Sequence, residues 1–282
     1  MALIPSFFLD CVVAIGIGNT PEELKWIASG FLYGHFMEKK EQQDFYLVYL
    51  VTNRHVFEEK RHIFLRFNPL TKEKAREYKL DLVDKNDLPL WYSCSDVEKD
   101  VAVTVINVRK LREEGIQFAY FHSDKHVSDI NKLKELGITE GDYAYLLGFP
   151  MGLIGGERNF VIVRGGSIAR IRDTLQGASK DFLIDAFVFP GNSGGPAVSK
   201  PEALAITGTK SQKSAYLIGI VRSYVAYEDI AISMQTQRPR VIFEENSGLA
   251  AIQPIDFVQE AIQEHLKLQK RPEETVSENP SQ

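Results

Sequence analysis

The apolar positions of this chain fall in short clusters rather than in long periodic stretches. Cys11–Ile17 is almost wholly apolar, Gly30–Gly34 follows, and Phe45–Thr52 is rich in β-branched and aromatic residues. That composition suits a pleated, half-buried strand. Between the last two runs, the polar stretch Glu38–Gln43 reads as a turn. Further runs are Ile63–Phe67, Val101–Ile106, Tyr143–Leu147, Phe160–Val163, Ile168–Ile171, Phe182–Val188, Ala203–Thr207 and Tyr216–Arg222. Most are bounded by Gly, Pro, Asn or Asp. Many short strands so punctuated predict a barrel or a sandwich, and no regular internal repeat is present.

Other stretches break this pattern. Residues 107–140 are charged and contain Ile130–Gly137, which reads as a short helical turn closed by glycine; the whole stretch is expected to connect two β units. Ile255–Leu268 places Ile255, Val258, Ile262 and Leu266 on one helix face. Thr71–Asp87 is charge-rich and predicts an exposed hairpin or loop. The tail from Gln269 to Gln282 is polar, carries Pro272 and Pro280, and is expected to be disordered.

Composition narrows the class. The chain has 282 residues, 44% of them hydrophobic and 25% charged, which excludes a disordered, collagen-like or coiled-coil protein and fits one or two domains. A net charge of −5 argues against nucleic acid as a partner, since that needs clustered Lys and Arg. Cys11 and Cys94 allow at most one bridge and no disulfide framework, so a reducing compartment is expected. Met1–Gly18 is apolar but lacks a basic start and is interrupted by Asp10; it reads as a first buried strand, not a signal peptide. No run is long enough for a membrane helix. A cytoplasmic location without membrane association is the expectation.

The sharpest chemical feature is Pro190-Gly191-Asn192-Ser193-Gly194-Gly195-Pro196. A serine hydroxyl is a poor nucleophile unless a base takes its proton, and attack on a carbonyl needs donors aimed at the developing oxyanion. A serine in a glycine-rich turn can supply both nucleophile and oxyanion hole. Alone, the segment is also a plain turn. His55 ends a strongly β run, Leu50–Val56, and Asp100 opens another, Asp100–Ile106. The order His55, Asp100, Ser193 is that of a chymotrypsin-type triad.

On these residues the chain resembles trypsin-like serine proteases of the bacterial HtrA/Deg type. The resemblance is carried by Val51–Val56, Asp100–Val103 and Gly191–Pro196, and secondarily by Ala28–Phe31, Gly148–Gly152, Gly166–Ile168 and Ser247–Pro254. It implies an all-β fold of two six-stranded antiparallel barrels with the active site between them. The organisation expected is an N-terminal barrel over 8–115, a connector over 116–140, a C-terminal barrel over 141–254, a helix over 255–268 and the tail over 269–282. The resemblance implies Ser193 as nucleophile, His55 as general base, Asp100 as its orienter, and the amides of Gly191 and Ser193 as oxyanion hole. HtrA-type enzymes commonly assemble, so a homo-oligomer is compatible, although no oligomerisation segment stands out. The PDZ domain that often follows such a protease is expected to be absent.

Departures from the animal digestive enzymes are informative. Those have a cysteine after the catalytic histidine, where this chain has Val56. Before the nucleophile they have an aspartate that pairs with a newly cut N-terminus. Asn192 is neutral and cannot make that ion pair, so no N-terminal cleavage is expected to be needed. By resemblance the primary specificity pocket is lined by Phe187, unless that residue packs in the barrel, and by Arg222, Ser223 and Tyr224. The absence of an acid there favours apolar or small substrate side chains. Val225–Asn246 looks inserted and reads equally as a lid over the pocket or as a surface loop.

Other signals are set aside. Gly191–Gly195 also fits the nucleophile elbow of α/β-hydrolases, but that motif needs a helix directly after the serine, where Pro196 follows. His122 and His126 have metal-ligand spacing on a helix, but no third His or Cys converges on them, so no metal and no cofactor are expected. The function expected is a serine endopeptidase acting on proteins or peptides. The alternatives are a catalytically silent or latent protease fold used as a binding module, and an esterase using the same site.

Overall fold

A computed structural model describes residues 3–20 and 23–269. The first part of the chain comprises helix α1 (Phe7–Asp10), strands β1 (Val12–Ile17), β2 (Lys25–Lys40) and β3 (Gln43–Thr52), the short α2 (Arg54–Phe57), then β4 (His62–Pro69), β5 (Arg76–Asp81), β6 (Tyr92–Ser93) and β7 (Ala102–Val105). There follow α3 (Val108–Glu113), the two-residue strands β8 (Ile116–Gln117) and β9 (Phe121–His122), and α4 (Ile130–Leu136). The strands form one curled sheet in the order β5-β4-β1-β2-β3-β7-β6, with β8 on β4 and β9 on β2. The path is not closed, because its end strands β5 and β6 do not pair. Glu41 and Gln42, at φ 46° and 67°, turn β2 back into β3, as the polar stretch there predicts. α4 is capped by the Asp129 side chain and ends on Gly137 at φ 75°.

The second part is a closed barrel. It comprises β10 (Tyr143–Gly148), β11 (Ile162–Arg170), α5 (Arg172–Leu175), β12 (Phe182–Asp185), β13 (Pro196–Ser199), β14 (Leu217–Ile232) and β15 (Pro239–Pro254), before α6 (Ile255–Gln269). Its six strands close in the order β10-β11-β12-β15-β14-β13. The fold is thus mostly β, with a barrel, a curled sheet and a C-terminal helix. The expected tail lies outside the described residues from position 270 onward.

One apolar core joins the two units. Phe31, Tyr49 and Val103 from the sheet share it with Leu147, Phe149 and Ile220 from the barrel. Burial of such area, at about 25 cal/mol per Å², fixes how the two units dock. α6 lies across this seam with Ile255, Val258 and Ile262 buried. Its His265 is buried too, bonding the Tyr49 hydroxyl through Nδ1 at 2.8 Å.

Three strand expectations and one loop expectation change. Phe160–Val163 and Ile168–Ile171 do not form two strands but overlap the two ends of a single one, β11 (Ile162–Arg170), because Gly165-Gly166 runs extended through its middle; a Cβ on Gly166 would meet the Asp185 carbonyl oxygen at 1.9 Å. Ala203–Thr207 forms no strand, and Leu204 and Ile206 are 82% and 76% exposed, with no core to cover them. Val225–Asn246 is not a loose loop: β14 and β15 run on past the barrel as a paired ribbon. Cys11 and Cys94 are both buried and free.

The N-terminal α1 packs on a histidine. Phe7 and Phe8 lie 5.0 and 5.8 Å, centroid to centroid, from His126. Burial, reinforced by neighbouring His122, pushes His126 down to about 4. An unfolded histidine titrates near 6.5, so the unfolded chain binds the extra proton first. This stabilisation is therefore present above pH 6.5 and is lost as pH falls toward 4. We expect thermal unfolding to shift downward over that window, and the shift to shrink in His126→Gln; an unchanged shift in the variant contradicts this assignment.

Candidate active site

His55 sits at the first turn after β3. Its backbone N–H donates to Asp100 Oδ1 at 3.0 Å, and its Nδ1 lies 2.7 Å from Asp100 Oδ2. Both carboxylate oxygens are thus spent on one histidine, fixing the ring, and among the described residues Nε2 makes no hydrogen bond. Asn53 Nδ2 ties the same loop down by donating to the Asp100 carbonyl at 2.8 Å. From the barrel side, Gln253 Oε1 accepts from the Asp100 N–H at 2.8 Å while its Nε2 donates to the Glu98 carbonyl at 2.9 Å. Gln253 is fully buried. It bolts the acid of one unit to the last strand of the other.

The Ser193 loop is held by backbone bonds at nearly every residue but two. The N–H groups of Asn192, Gly194 and Gly195 donate to Phe189, Val221 and Asn192 carbonyls, each at 2.9 Å. Ser29 clamps the loop across the units: its N–H donates to the Ser193 carbonyl at 2.9 Å and its hydroxyl to the Gly191 carbonyl at 2.6 Å. The Phe149 N–H in turn donates to Ser29 Oγ at 2.9 Å. Among the described residues, no acceptor faces the N–H of Gly191 or of Ser193. Two glycines are required for this shape. At Gly191, φ is 100° and a Cβ would meet the Phe149 carbonyl oxygen at 2.3 Å; at Gly194, φ is 84° and a Cβ would meet Thr52 Oγ1 at 2.1 Å. The segment after Ser193 runs directly into strand β13, not a helix, which removes the nucleophile-elbow reading.

His55 and Ser193 line one cleft of about 250 Å³, together with Ile27, Phe189, Val221 and Tyr224. No acidic residue lines it. No hydrogen bond joins the Ser193 hydroxyl to the imidazole among the described residues. Of the four residues expected at the specificity pocket, Ser223 and Tyr224 line this cleft and Phe187 and Arg222 do not. Phe187 is neither pocket wall nor core: it is 51% exposed and stacks on Phe189. Arg222 turns away to Asp181, 2.7 Å from Nη1 to Oδ2. The His122 backbone N–H donates to His126 Nδ1 at 3.1 Å.

Sequence reasoning missed Gln253 and the double role of Ser29. Both lie inside segments quoted for the resemblance, but their partners are more than a hundred residues away in the chain. A test of Gln253 follows. Gln253→Leu leaves a buried N–H and a carbonyl unpaired, at about 1–3 kcal/mol. We expect lower thermal stability and a fall in kcat with KM nearly unchanged, because Asp100 moves while the cleft does not. A loss confined to KM contradicts the assignment.

The trypsin-like peptidase domain family matches over residues 28–204. The chain belongs to that family, a class that acts on proteins or peptides. Among solved structures it is similar to a crystal structure of Rv3671c from M. tuberculosis H37Rv, a serine-to-alanine mutant in an inactive form. Identity is 12% and the TM-score 0.43, covering 94% of this chain and 91% of that one. No protein with a curated description matches the sequence. Among the described residues, no helix is long and apolar enough to cross a membrane.

Proposed function

We propose that the chain is a serine endopeptidase that works through His55, Asp100 and Ser193. The observation that carries this reading is the pair of unengaged N–H groups, Gly191 and Ser193, beside a cleft shared by Ser193 and the Asp100-anchored His55. Ser193 Oγ attacks the scissile carbonyl carbon and His55 Nε2 takes its proton. The carbonyl oxygen, now an oxyanion, accepts from the two free amides. Collapse expels the leaving amine, protonated by His55, and leaves an acyl-enzyme on Ser193. Water, deprotonated by His55, then releases the acid. Asp100 holds the imidazole with Nδ1 protonated and stabilises the imidazolium.

A cleft lined by Ile27, Phe189 and Val221 with no acidic group favours a small or apolar side chain next to the cleaved bond. No N-terminal cleavage is required. Asn192 Oδ1 accepts from the Phe189 N–H at 3.0 Å, so the loop is braced by its own residue rather than by an ion pair with a new terminus. Full-length protein is therefore expected to be active as made; strict dependence on prior cleavage contradicts this.

The competing reading is a silent or latent module, favoured by the lack of a bond between Ser193 and His55. Catalytic hydrogen bonds are often long before substrate binds, so that lack does not decide the matter. Turnover of a denatured generic protein, compared with a simple ester, does. Peptide-bond cleavage supports the endopeptidase, ester turnover alone an esterase, and neither a binding module.

A further inference from the structure

Beyond the barrel, among the described residues, one edge of β14 has no neighbouring strand. β13 pairs with β14 only up to Ile220, and the bonds between Val221 and Gly194–Gly195 close that ladder. On its other edge β14 stays paired with β15 from Ala226–Asn246 out to Ile232–Pro239. This ribbon is about 20 Å long at ~3.3 Å per residue. It is rooted in the cleft, because Ser223 and Tyr224 line the cleft and lead straight into it.

The ribbon's exposed edge is acidic and carries irregularities near its root and its tip, but it lacks the lysines that most often guard such an edge. Natural sheets blunt such edges with lysines, prolines or very short strands, and a two-stranded ribbon alone is marginal in water. Residues 225–246 contain no lysine and a single proline, Pro239 near the tip. Ile230 and Ile242 face each other and are 46% and 60% exposed. Charge is segregated as well. Glu228, Asp229, Glu244 and Glu245 lie toward the root, with Arg238 and Arg240 toward the tip. Glu228 stands directly opposite Glu244, a pairing that destabilises a sheet unless a cation lies between. Among the described residues no ion pair neutralises either; Glu244 only accepts from the Tyr224 hydroxyl at 2.6 Å. Side-chain alternation puts Glu228, Ile230, Glu244 and Ile242 on one face.

We propose that this ribbon is an extended binding site for the polypeptide being cut. The chain leaving the cleft adds to the free edge of β14 as a further strand, a mode in which main-chain bonds give affinity and alternate side chains give selectivity. A Lys or Arg of the bound segment sits against Glu228 and Glu244, and an apolar side chain follows on Ile230 and Ile242. The site therefore selects substrates with a basic-and-apolar extended stretch on one side of the scissile bond. This rests on the peptidase reading of the cleft, and the test separates the two.

Fluorogenic peptides sharing one apolar core are lengthened on either side from about four to about ten residues, the added positions alternating apolar residues with Lys or with Glu. We expect kcat/KM to rise about tenfold or more with Lys-containing extensions on one side only. The rise is lost in Glu228→Gln/Glu244→Gln, and in a variant with 227–245 replaced by a short turn that keeps Asn246 on the Val188 carbonyl, while both variants cleave the short core at the wild-type rate. In parallel, fluorescence anisotropy measures binding of the same peptides to Ser193→Ala, which reads the ribbon without turnover. Preference for the long basic peptide there supports the ribbon even if the cleft is silent. Equal binding of long and short peptides, or equal preference for Glu and Lys extensions, overturns it. So does sedimentation showing that the ribbon only joins two copies of the chain while length dependence persists without it.

Discussion

Ser193→Ala is expected to lower kcat on a protein or peptide substrate by about 10⁴–10⁶-fold, with the thermal unfolding temperature unchanged. The two halves of this result come from different features. Among the described residues Ser193 Oγ makes no hydrogen bond, so its removal leaves no buried partner there unsatisfied. Its backbone carbonyl accepts from the Ser29 N–H at 2.9 Å, and alanine keeps that bond. The loop, the two free amides and the His55–Asp100 pair therefore persist while the nucleophile is gone. Residual activity from the amides and the cleft remains above the uncatalysed rate. A fall of less than tenfold means that another group attacks; a collapse in stability means that Ser193 serves the fold.

Asp100→Asn is the second large effect, about 10³–10⁴-fold in kcat, or ~4–5.5 kcal/mol of transition-state stabilisation. Asp100 accepts twice from His55, at the backbone N–H and at Nδ1. An asparagine can keep one acceptor but presents an NH₂ in place of the other. If its oxygen stays on the backbone N–H, the NH₂ faces Nδ1 and drives the proton to Nε2, the atom that must accept from Ser193. The imidazole is then in the wrong tautomer, and no carboxylate balances the imidazolium. The substitution is isosteric, and the Asp100 N–H still donates to Gln253, so folding is expected to be retained. Steady-state kinetics with thermal unfolding of the same preparation checks both points. A loss seen only in KM contradicts the orienting role of Asp100.

The legibility of this molecule in its sequence follows the range of its contacts. Strands such as Phe45–Thr52 announce themselves because a β-branched and aromatic run carries its own preference. The Ser193 loop does so because Gly191 and Gly194 meet steric demands that no other residue meets. β13 was hidden because Pro196-Ala197-Val198-Ser199 is too short and too mixed to stand out beside the glycine motif. Its place is set by pairing with β10 and β14. The apolar run Ala203–Thr207 misled for the opposite reason: local preference was present and no partner strand was. At the site, the proposed histidine, aspartate and serine stand out by their local contexts. Phe187 and Arg222 were not, because which way a side chain turns depends on Phe189 in one case and Asp181 in the other. Gln253 and Ser29 act across the seam between the two units, and no local pattern encodes that.

An endopeptidase working through this cleft requires Ser193 to be activated by His55. The most direct test of that activation is intact-mass spectrometry of the folded protein after treatment with a serine-directed fluorophosphonate, with Ser193→Ala alongside. One phosphonyl adduct is expected on the wild type, formed as Ser193 Oγ displaces fluoride at phosphorus, and none on the variant. No adduct on folded wild type, or an equal adduct on both proteins, contradicts it.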